Sequence, residues 1–298
     1  MMMAVLTVVG HVALDRVVTD SGERTQIGGS PSYVSLISRR LGLDVRVVTK
    51  VGGDLPSRFI GQLRRLDINL RRQFVEGSQT TRFVLDYRRL VRRLSVESVC
   101  EEIRPEDVGE HHEAVLISPI VAEVPPQTAS KLAEAELVAL DPQGYVREIK
   151  GDGSVVPRPW LDRELLMKVS VYKSSAEELE LVTGEAEPWR GLEEIQRLGA
   201  EVALATMGSQ GACLLTRKGR YHIPAYEANV VVDPTGAGDV FMAGFLSEYL
   251  RGKDTPWCAA VGAAAASSVV ETEGATVSLS ARMIRERAEE IYDGVIRL

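Results

Sequence analysis

The segment from Val230 to Leu250, VVVDPTGAGDVFMAGFLSEYL, carries the residue types most suited to chemistry. Gly236, Ala237 and Gly238 precede hydrophobic residues at helical spacing, so their backbone N–H groups are unshielded at a helix N-terminus and can bind an anion. Asp239 lies in the first turn of that helix, where its carboxylate can accept the proton of an attacking hydroxyl. A base beside an anion hole suits phosphoryl transfer. The alternative is that Asp239 caps the helix and the glycines form a tight turn.

Two elements must position this segment. The β-branched run Val230 to Val232 predicts a strand that leads into it. The hydrophobic residues between Val240 and Leu250 recur at helical spacing and predict an amphipathic helix behind Asp239. The chain contains no G-x-x-x-x-G-K-[ST] sequence, so a P-loop is excluded as the phosphate site.

Strands alternate with helices along most of the chain. Strands are predicted at Ala4 to Gly10, Val45 to Thr49, Ala114 to Ser118, Leu137 to Asp141, Val169 to Tyr172 and Val202 to Thr206. Helices are predicted between Gly29 and Gly42, around Phe59 to Leu66, and at Gln127 to Glu136, Ala176 to Thr183 and Leu192 to Leu198. This alternation is typical of βαβ units, so we expect an α/β domain with a mostly parallel sheet covered on both faces.

Two stretches, residues 12–27 and 80–99, have strand patterns without crossover helices. We expect them to form a small antiparallel sheet that is inserted in a single domain of residues 1–298. Such a sheet can act as a lid over the carboxyl ends of the parallel strands, where open α/β sheets bind ligands. An exposed lid edge invites strand pairing between subunits, so a homodimer through the lid and a monomer both stay open.

Length and composition restrict the class of protein. The chain has 298 residues, 45% of them hydrophobic, and a formal charge of −7, as in an ordinary soluble protein. No apolar run approaches the ~20 residues of a membrane span, and no signal peptide is evident, so we predict a cytoplasmic protein without a membrane partner. Cys100, Cys213 and Cys258 share no C-x-x-C spacing and are expected to be buried thiols.

The chain holds an arginine-rich stretch from Arg64 to Arg93. We interpret these arginines as solvated surface, because the acidic balance and the lack of a nucleic-acid-binding motif speak against a nucleic-acid partner. Asn69 and Asn229 are the only asparagines, and few heat-labile amides suit a protein from a hot environment.

The segment DPTGAGDVFMAGF resembles the C-terminal signature of the ribokinase (PfkB) family of carbohydrate and nucleoside kinases, D-x-T-G-A-G-D followed by a helix. Asp233, Thr235 and Gly236 to Asp239 all match it. Further landmarks follow in family order, since Gly28-Gly29 and the run VVTKVGGD are similar to the N-terminal signature. The resemblance spans essentially the whole chain and implies a ribokinase-like three-layer α/β/α domain with a β-sheet lid. It also implies a kinase that passes the γ-phosphate of ATP to a hydroxyl.

The resemblance assigns binding roles along the chain. Asp15, in GHVALD, matches the aspartate at the lid entry that binds substrate hydroxyls, opposite Gly28 and Gly29. The run ALATMGSQGACL and the signature itself imply nucleotide contacts, which we assign to Thr206, Gly208, Gly211 and Thr235. An adenine slot is expected at the loop after Val261 to Val270. Carbonyls around Asp233 and Gly274 are where several relatives hold a monovalent cation such as K⁺, although spacing alone does not decide this.

The sequence departs from the family at two positions. Tyr33 stands where many members have a substrate-reading asparagine after the glycine pair. The family's N-x-x-E motif, near the magnesium and phosphate site, falls on Ser175 to Glu178, so that glutamate is present and asparagine is not. Glu178 either organises metal waters or is an exposed helix carboxylate. The four histidines lack ligand spacing, so we expect Mg²⁺ to arrive with ATP.

Two further runs narrow the substrate. SPIVAEVPP and LDPQGYVR resemble segments of archaeal ribokinase-family members, including those that act on myo-inositol. Gln143 and Arg147 follow a predicted strand, where they can bind hydroxyls or the transferring phosphate; the alternative is that both are tied to loop backbone. We therefore predict a sugar or polyol kinase, with myo-inositol as the sharper prediction. A nucleoside kinase that stacks the base on Tyr33, Phe83 or Tyr87 is the alternative. A catalytically inactive ligand-binding relative ranks behind both.

Overall fold

The computed structural model describes residues 5–70, 73–88, 93–227 and 230–298. Four arginines of the arginine-rich stretch, Arg71, Arg72, Arg89 and Arg92, lie outside these ranges. Along the chain the strands are β1 Leu6–Val9, β2 Ala13–Thr19, β3 Gly22–Gly28, β4 Val45–Val48, β5 Val51–Gly52, β6 Phe74–Val75, β7 Thr81–Asp86, β8 Arg93–Ser98, β9 Ala114–Ile117, β10 Leu137–Leu140, β11 Arg147–Ile149, β12 Val155–Pro157, β13 Val171–Ser175, β14 Val202–Thr206, β15 Ala212–Thr216, β16 Gly219–Ile223 and β17 Ile296–Arg297.

The helices fall between these strands, and a short 3₁₀ turn covers Gly208–Gln210. They are α1 Ser30–Leu41, α2 Ser57–Arg65, α3 Pro126–Leu132, α4 Arg163–Leu166, α5 Ala176–Thr183, α6 Pro188–Leu198, α7 Ala237–Tyr249, α8 Thr255–Val270 and α9 Ala281–Asp293. Within the described ranges no helix is long and apolar enough to cross a membrane.

The main sheet has the strand order β17-β16-β15-β14-β13-β10-β9-β1-β4. In this sheet β4, β1, β9, β10, β13 and β14 pair in parallel, while β15, β16 and β17 extend it in antiparallel fashion. One core cluster packs α1, α2, α7, α8 and α9 on one face, and a second packs α3 to α6 on the other. The predicted α/β fold with a mostly parallel, doubly covered sheet is confirmed, and its layers are those of the three-layer α/β/α arrangement.

The lid is a four-stranded sheet in the order β3-β2-β7-β8, formed by the two stretches that interrupt the βαβ pattern. The expectation of a purely antiparallel lid is wrong, because β2 and β7 pair in parallel. Parallel pairing is possible here because α1, β4 and α2 lie between these strands in the chain and provide a long return connection. The edge at β8 is partly covered, since the N–H of Val96 donates to the carbonyl of Gly153 at 2.8 Å.

Two expectations around the signature segment are also wrong. Residues Val230 to Val232 form no strand and are 45–65% exposed; the N–H of Val232 donates to the carbonyl of Val270, at the end of α8, instead of to a sheet ladder. Helix α7 is not amphipathic, because its residues from Asp239 to Glu248 are all buried. It lies between α1 and α8 and contacts β13, so it has no solvent face.

The contact between α7 and α8 depends on the absence of side chains. A Cβ on Gly262 of α8 would lie 2.7 Å from the carbonyl oxygen of Phe241 of α7, which is closer than real Cβ contacts. Gly61, in the middle of α2, has no atom within 4 Å of the corresponding position. Replacement by alanine is therefore expected to destabilise the fold at Gly262 and to stabilise it at Gly61.

We predict that Gly262→Ala lowers the free energy of unfolding by about 1–3 kcal/mol, because the two helices must move apart. Gly61→Ala, the matched control, is expected to raise it by up to about 1 kcal/mol, because alanine favours the helix and meets no neighbour. Urea denaturation of both variants measures the difference. Equal effects at the two positions would contradict the close approach of α7 and α8.

Candidate active site

A cavity of about 240 Å³ lies between the lid and the N-terminus of α7, at the carboxyl ends of the parallel strands. Most of the residues that the sequence predicted for the site line it, namely Asp15, Gly29, Tyr33, Gln143, Arg147, Glu178, Thr206, Thr235, Gly236, Ala237, Gly238 and Asp239. Gly28, Gly208 and Gly211 do not line it. Gly28 lies directly behind Asp15, since a Cβ there would be 1.9 Å from the Oδ2 atom of that aspartate.

The turn before α7 can be built only with glycine. Gly236 has φ of 78°, and a Cβ there would lie 2.4 Å from the ring of Tyr33, which is fully buried against the turn. The N–H of Ala237 donates to the carbonyl of Pro234 at 3.3 Å. In the described part of the chain the N–H groups of Gly236 and Gly238 have no acceptor. The turn therefore offers two free donors and the positive end of a helix to an anion in the cavity.

Asp239 is almost completely buried at the start of α7 and is the predicted base. Its Oδ1 atom accepts a hydrogen bond of 2.8 Å from Nε2 of Gln143, and Oε1 of Gln143 accepts one of 3.0 Å from Arg147. Burial, followed by the negative charge of Asp141, raises the pKa of Asp239 to about 6, against the opposing charge of Lys173. A carboxylate with a pKa of this size is ionised at neutral pH yet basic enough to accept a proton.

Gln143 and Arg147 belong to one chain of hydrogen bonds that ends at Asp239. Arg147 also donates to the carbonyl of Ile120 at 2.9 Å. Both residues line the cavity, and Arg147 has the tie to backbone that the alternative interpretation predicted. Their binding roles stay predictions. Their contacts also show that one of them, Gln143, orients Asp239, a role that the sequence did not indicate.

Lys173 and Asp141 form a buried ion pair in the cavity that sequence reasoning missed. The register pairs Leu140 with Tyr172, so the next residues, Asp141 and Lys173, lie level with each other, and Nζ lies 2.7 Å from Oδ2. Burial lowers the pKa of Lys173, but the negative charges of Asp141, Glu178 and Asp239 together outweigh burial, and the pKa is raised. A lysine inside an otherwise buried strand was the signal available in the sequence, because lysine is almost never fully buried without a partner.

Ser30, the first residue of α1, also lines the cavity and was not predicted. It follows Gly29, which has φ of 83° and whose Cβ would lie 2.1 Å from the carbonyl oxygen of His11. The glycine pair therefore lets β3 turn sharply into α1 and places Ser30 at the cavity wall. The polar side chains of Ser30 and Gln143 both favour the ionised form of Asp239 and oppose the rise in its pKa.

Glu178 is half-buried and lines the cavity, so it is not the exposed helix carboxylate of the alternative interpretation. Its Oε2 atom accepts the N–H of Ser175 at 2.9 Å, and Oγ of Ser175 accepts the N–H of Glu178, which makes a capping box for α5. Burial and the charge of Asp141 raise the pKa of Glu178. Within the described ranges no group of three histidine, cysteine, aspartate or glutamate side chains is arranged to hold a metal ion.

Three contacts join the lid to the signature turn. Oδ2 of Asp233 accepts hydrogen bonds from Arg24 at 3.2 Å and Gln26 at 3.1 Å, both on β3. The hydroxyls of Tyr87, which follows β7, and Thr235 lie 3.1 Å apart. Oδ1 of Asp233 accepts the N–H of Thr235 at 3.0 Å. One carboxylate therefore holds the lid with one oxygen and the turn with the other.

The region expected to hold a monovalent cation contains a cationic side chain. Asp233 and Gly274 both lie against Gln26, and the guanidinium of Arg24 bridges Asp233 and Glu273. Burial raises the pKa of Asp233, but the hydrogen bonds from Thr235 and Gln26 and the charge of Arg24 outweigh it, and the pKa is lowered. Because Arg24 already neutralises this carboxylate, the side chain of Asp233 does not fit the role of a K⁺ ligand.

Comparison with known proteins agrees with this geometry. The model of the pfkB family of carbohydrate kinases matches residues 123–282. A nucleoside kinase of Methanocaldococcus jannaschii is 28% identical over 301 residues, which cover 92% of this chain and 93% of that protein. An inositol 3-kinase of Zea mays is 33% identical over 187 residues, which cover 60% of this chain and 46% of that protein.

A solved structure shares the fold. It is a pyrophosphate-dependent kinase in the ribokinase family, complexed with a pyrophosphate analog and myo-inositol; the TM-score is 0.79 at 24% identity, with 96% of this chain and 100% of that chain covered. The ribokinase-like fold implied by the sequence is thereby confirmed. Since the family model spans more than half of the chain, this protein belongs to the pfkB family of carbohydrate kinases and is a phosphotransferase that acts on a hydroxyl group.

Proposed function

We propose that this kinase transfers the γ-phosphoryl group of ATP to a hydroxyl of a sugar or polyol, with myo-inositol as the preferred candidate. The observation that carries the proposal is the position of Asp239, buried in the cavity beside the free N–H groups of Gly236 and Gly238. Asp239 removes the proton of the attacking hydroxyl as its oxygen bonds to phosphorus. The N–H groups bind the oxygens of the transferring group, on which charge accumulates.

The donor would lie with its phosphates at the start of α7. Thr206 and Thr235 line the cavity and can contact the phosphates. Gly208 and Gly211 lie at the neighbouring 3₁₀ turn and stay predicted nucleotide contacts. Mg²⁺, bound mainly by the phosphates and by water, supplies further charge neutralisation. Glu178 is the carboxylate that can orient its waters, because its side chain reaches the cavity from α5.

The acceptor would lie between the lid and Asp239. Asp15, on β2, brings a carboxylate that can accept two hydroxyl hydrogens at once, which suits a vicinal diol. The cavity of about 240 Å³ is smaller than most ligand pockets and must hold both the acceptor and the transferring group. This favours a compact polyol or sugar, and an inositol 3-kinase is among the relatives.

A nucleoside acceptor is the second candidate. Phe83, Leu85 and Leu94 form an apolar lid wall above the cavity that could cover a base, and a nucleoside kinase is among the relatives. Of the other aromatics named for stacking, Tyr33 lies flat on Gly236 and Tyr87 bonds to Thr235, so neither is placed to hold a base.

We also propose that residues 1–298 form one domain, with the lid as an insertion. The cover that Gly153 provides at the β8 edge favours a monomer over pairing through that edge. A cytoplasmic location and an origin in a hot environment stay predictions.

Asp239→Asn is expected to lower kcat by about 10²–10⁴-fold, because the amide cannot accept the hydroxyl proton. Binding of ATP should stay within a few-fold of wild type, since the N–H groups of the turn remain. Steady-state kinetics and calorimetric titration measure the two effects. Glu180→Gln, an exposed carboxylate on α5, is the control and should have wild-type turnover. Wild-type kcat in Asp239→Asn would exclude Asp239 as the base.

The pH dependence of kcat/KM should show an acidic limb with an apparent pKa near 6, the value of Asp239. Activity falls below that pH because the protonated carboxyl cannot accept a proton. Gln143→Leu removes a hydrogen bond that favours the ionised form, so its limb should move to higher pH. A limb that stays in place would show that another group controls it.

A screen of acceptors identifies the substrate. Myo-inositol, hexoses, ribose and nucleosides are each incubated with Mg-ATP and, separately, with pyrophosphate, and phosphate monoesters are detected by ³¹P NMR. We expect turnover of a polyol or sugar with ATP, and Asp15→Asn should raise the KM for that acceptor about 10–100-fold, as for one charge-assisted hydrogen bond. Turnover of nucleosides alone would favour the second candidate, and turnover with pyrophosphate alone would contradict ATP as the donor.

A further inference from the structure

Lys173 is a buried cation at the phosphate end of the cavity. Its side chain projects from β13 towards the start of α7, and Nζ lies 2.6 Å from the position of a Cβ on Gly238. The ammonium therefore touches the backbone of the residue whose N–H has no acceptor in the described structure. A side chain at Gly238 would displace the ammonium from this position.

The ammonium has N–H donors that no acceptor in the described ranges engages. Nζ donates to Oδ2 of Asp141 at 2.7 Å, and across the described ranges that is its one hydrogen bond. A lysine carries three N–H donors, so two remain for a ligand in the cavity. Arg147 differs, because its donors already engage Gln143 and the carbonyl of Ile120.

The charges around the cavity require a cation at this place. Four carboxylates line it, those of Asp15, Asp141, Glu178 and Asp239. The charges of Asp141, Glu178 and Asp239 all favour the protonated form of Lys173, which keeps it positive although it is buried. Phosphate oxygens brought among these carboxylates would be repelled unless a fixed positive charge lay beside them.

We propose that the ammonium of Lys173 binds a nonbridging oxygen of the transferring phosphoryl group, together with the N–H of Gly238, and that Asp141 positions it. This assignment rests on the proposed kinase function. The lysine transfers no proton: the acceptor oxygen bonds to phosphorus, its proton goes to Asp239, and the bond from phosphorus to the leaving phosphate breaks. The lysine only compensates charge as these bonds change.

A purely structural ion pair is the competing explanation, and paired variants separate the two. Lys173→Met alone leaves the charge of Asp141 buried and unpaired, which destabilises the fold whichever of the two explanations is correct. The double variant Lys173→Met/Asp141→Asn removes both charges and should restore the melting temperature. Lys173→Gln is a second neutral variant, since its amide can still donate to Asp141. Lys168→Met, which removes an exposed lysine just before β13, is the matched control.

In the folded double variant and in Lys173→Gln we expect kcat to fall about 100-fold, the scale for one lost donor in an anion hole. The assay is run at about pH 8, where Asp239 is ionised in the wild type. The double variant removes one charge that raises the pKa of Asp239 and one that lowers it, so the base is expected to stay ionised there. For Lys173→Gln, kcat is taken from the plateau of its pH profile, because loss of the lysine charge alone raises that pKa. Lys168→Met should match wild type. Wild-type kcat in the double variant would overturn the assignment.

Binding separates failure of this assignment from failure of the proposed function. Titration of Mg-ATP and of inorganic pyrophosphate into each variant should show about tenfold weaker binding without Lys173, even if no tested alcohol is a substrate. Unchanged affinity for both probes, with unchanged kcat where turnover is measurable, would show that the pair is structural. Weaker binding without any turnover of wild type would retain the phosphate contact and overturn only the choice of acceptor.

Discussion

Asp239 must be kept out of water next to the free N–H groups of the α7 N-terminus, and much of the molecule follows from that requirement. Burial raises the pKa of this carboxylate, and the same burial makes the helix dipole and the N–H donors effective. Helix α7 is therefore enclosed on all sides, which the glycines at its contact with α8 permit. The carboxylates that line the cavity also need a compensating cation, and Lys173 supplies it.

Asp233 couples the lid to the signature turn. Its two oxygens bind different elements, Arg24 and Gln26 of the lid on one side and the backbone of Thr235 on the other. A movement of the lid that breaks the bonds from Arg24 and Gln26 also removes groups that lower the pKa of Asp233 and keep it ionised. The lid therefore helps to hold the turn at the N-terminus of α7, as well as covering the cavity.

Local sequence patterns predicted the strands and helices well where a segment belongs to the βαβ succession. The strand at Val202–Thr206 and the helix at Ala176–Thr183 have the predicted bounds. Their signals, a continuous apolar run for the strand and a capping box for the helix, are formed by residues adjacent in the chain. The expectation failed at Val230 to Val232, where three β-branched residues meet the end of α8 rather than a strand. Residues with high strand propensity form a strand only where a neighbouring strand can pair with their backbone. Whether such a strand lies nearby is decided by the tertiary structure.

The sequence alone determined the family signature, the βαβ succession and the place of the lid insertions, since each depends on residues close together in the chain. It also identified most of the residues that line the cavity. Tertiary structure alone decided how those residues meet: that Gln143 orients Asp239, that Tyr33 lies flat on Gly236, and that Lys173 pairs with Asp141. These contacts join residues from different strands and helices, and their distances are set by sheet register and helix packing, which no local pattern encodes.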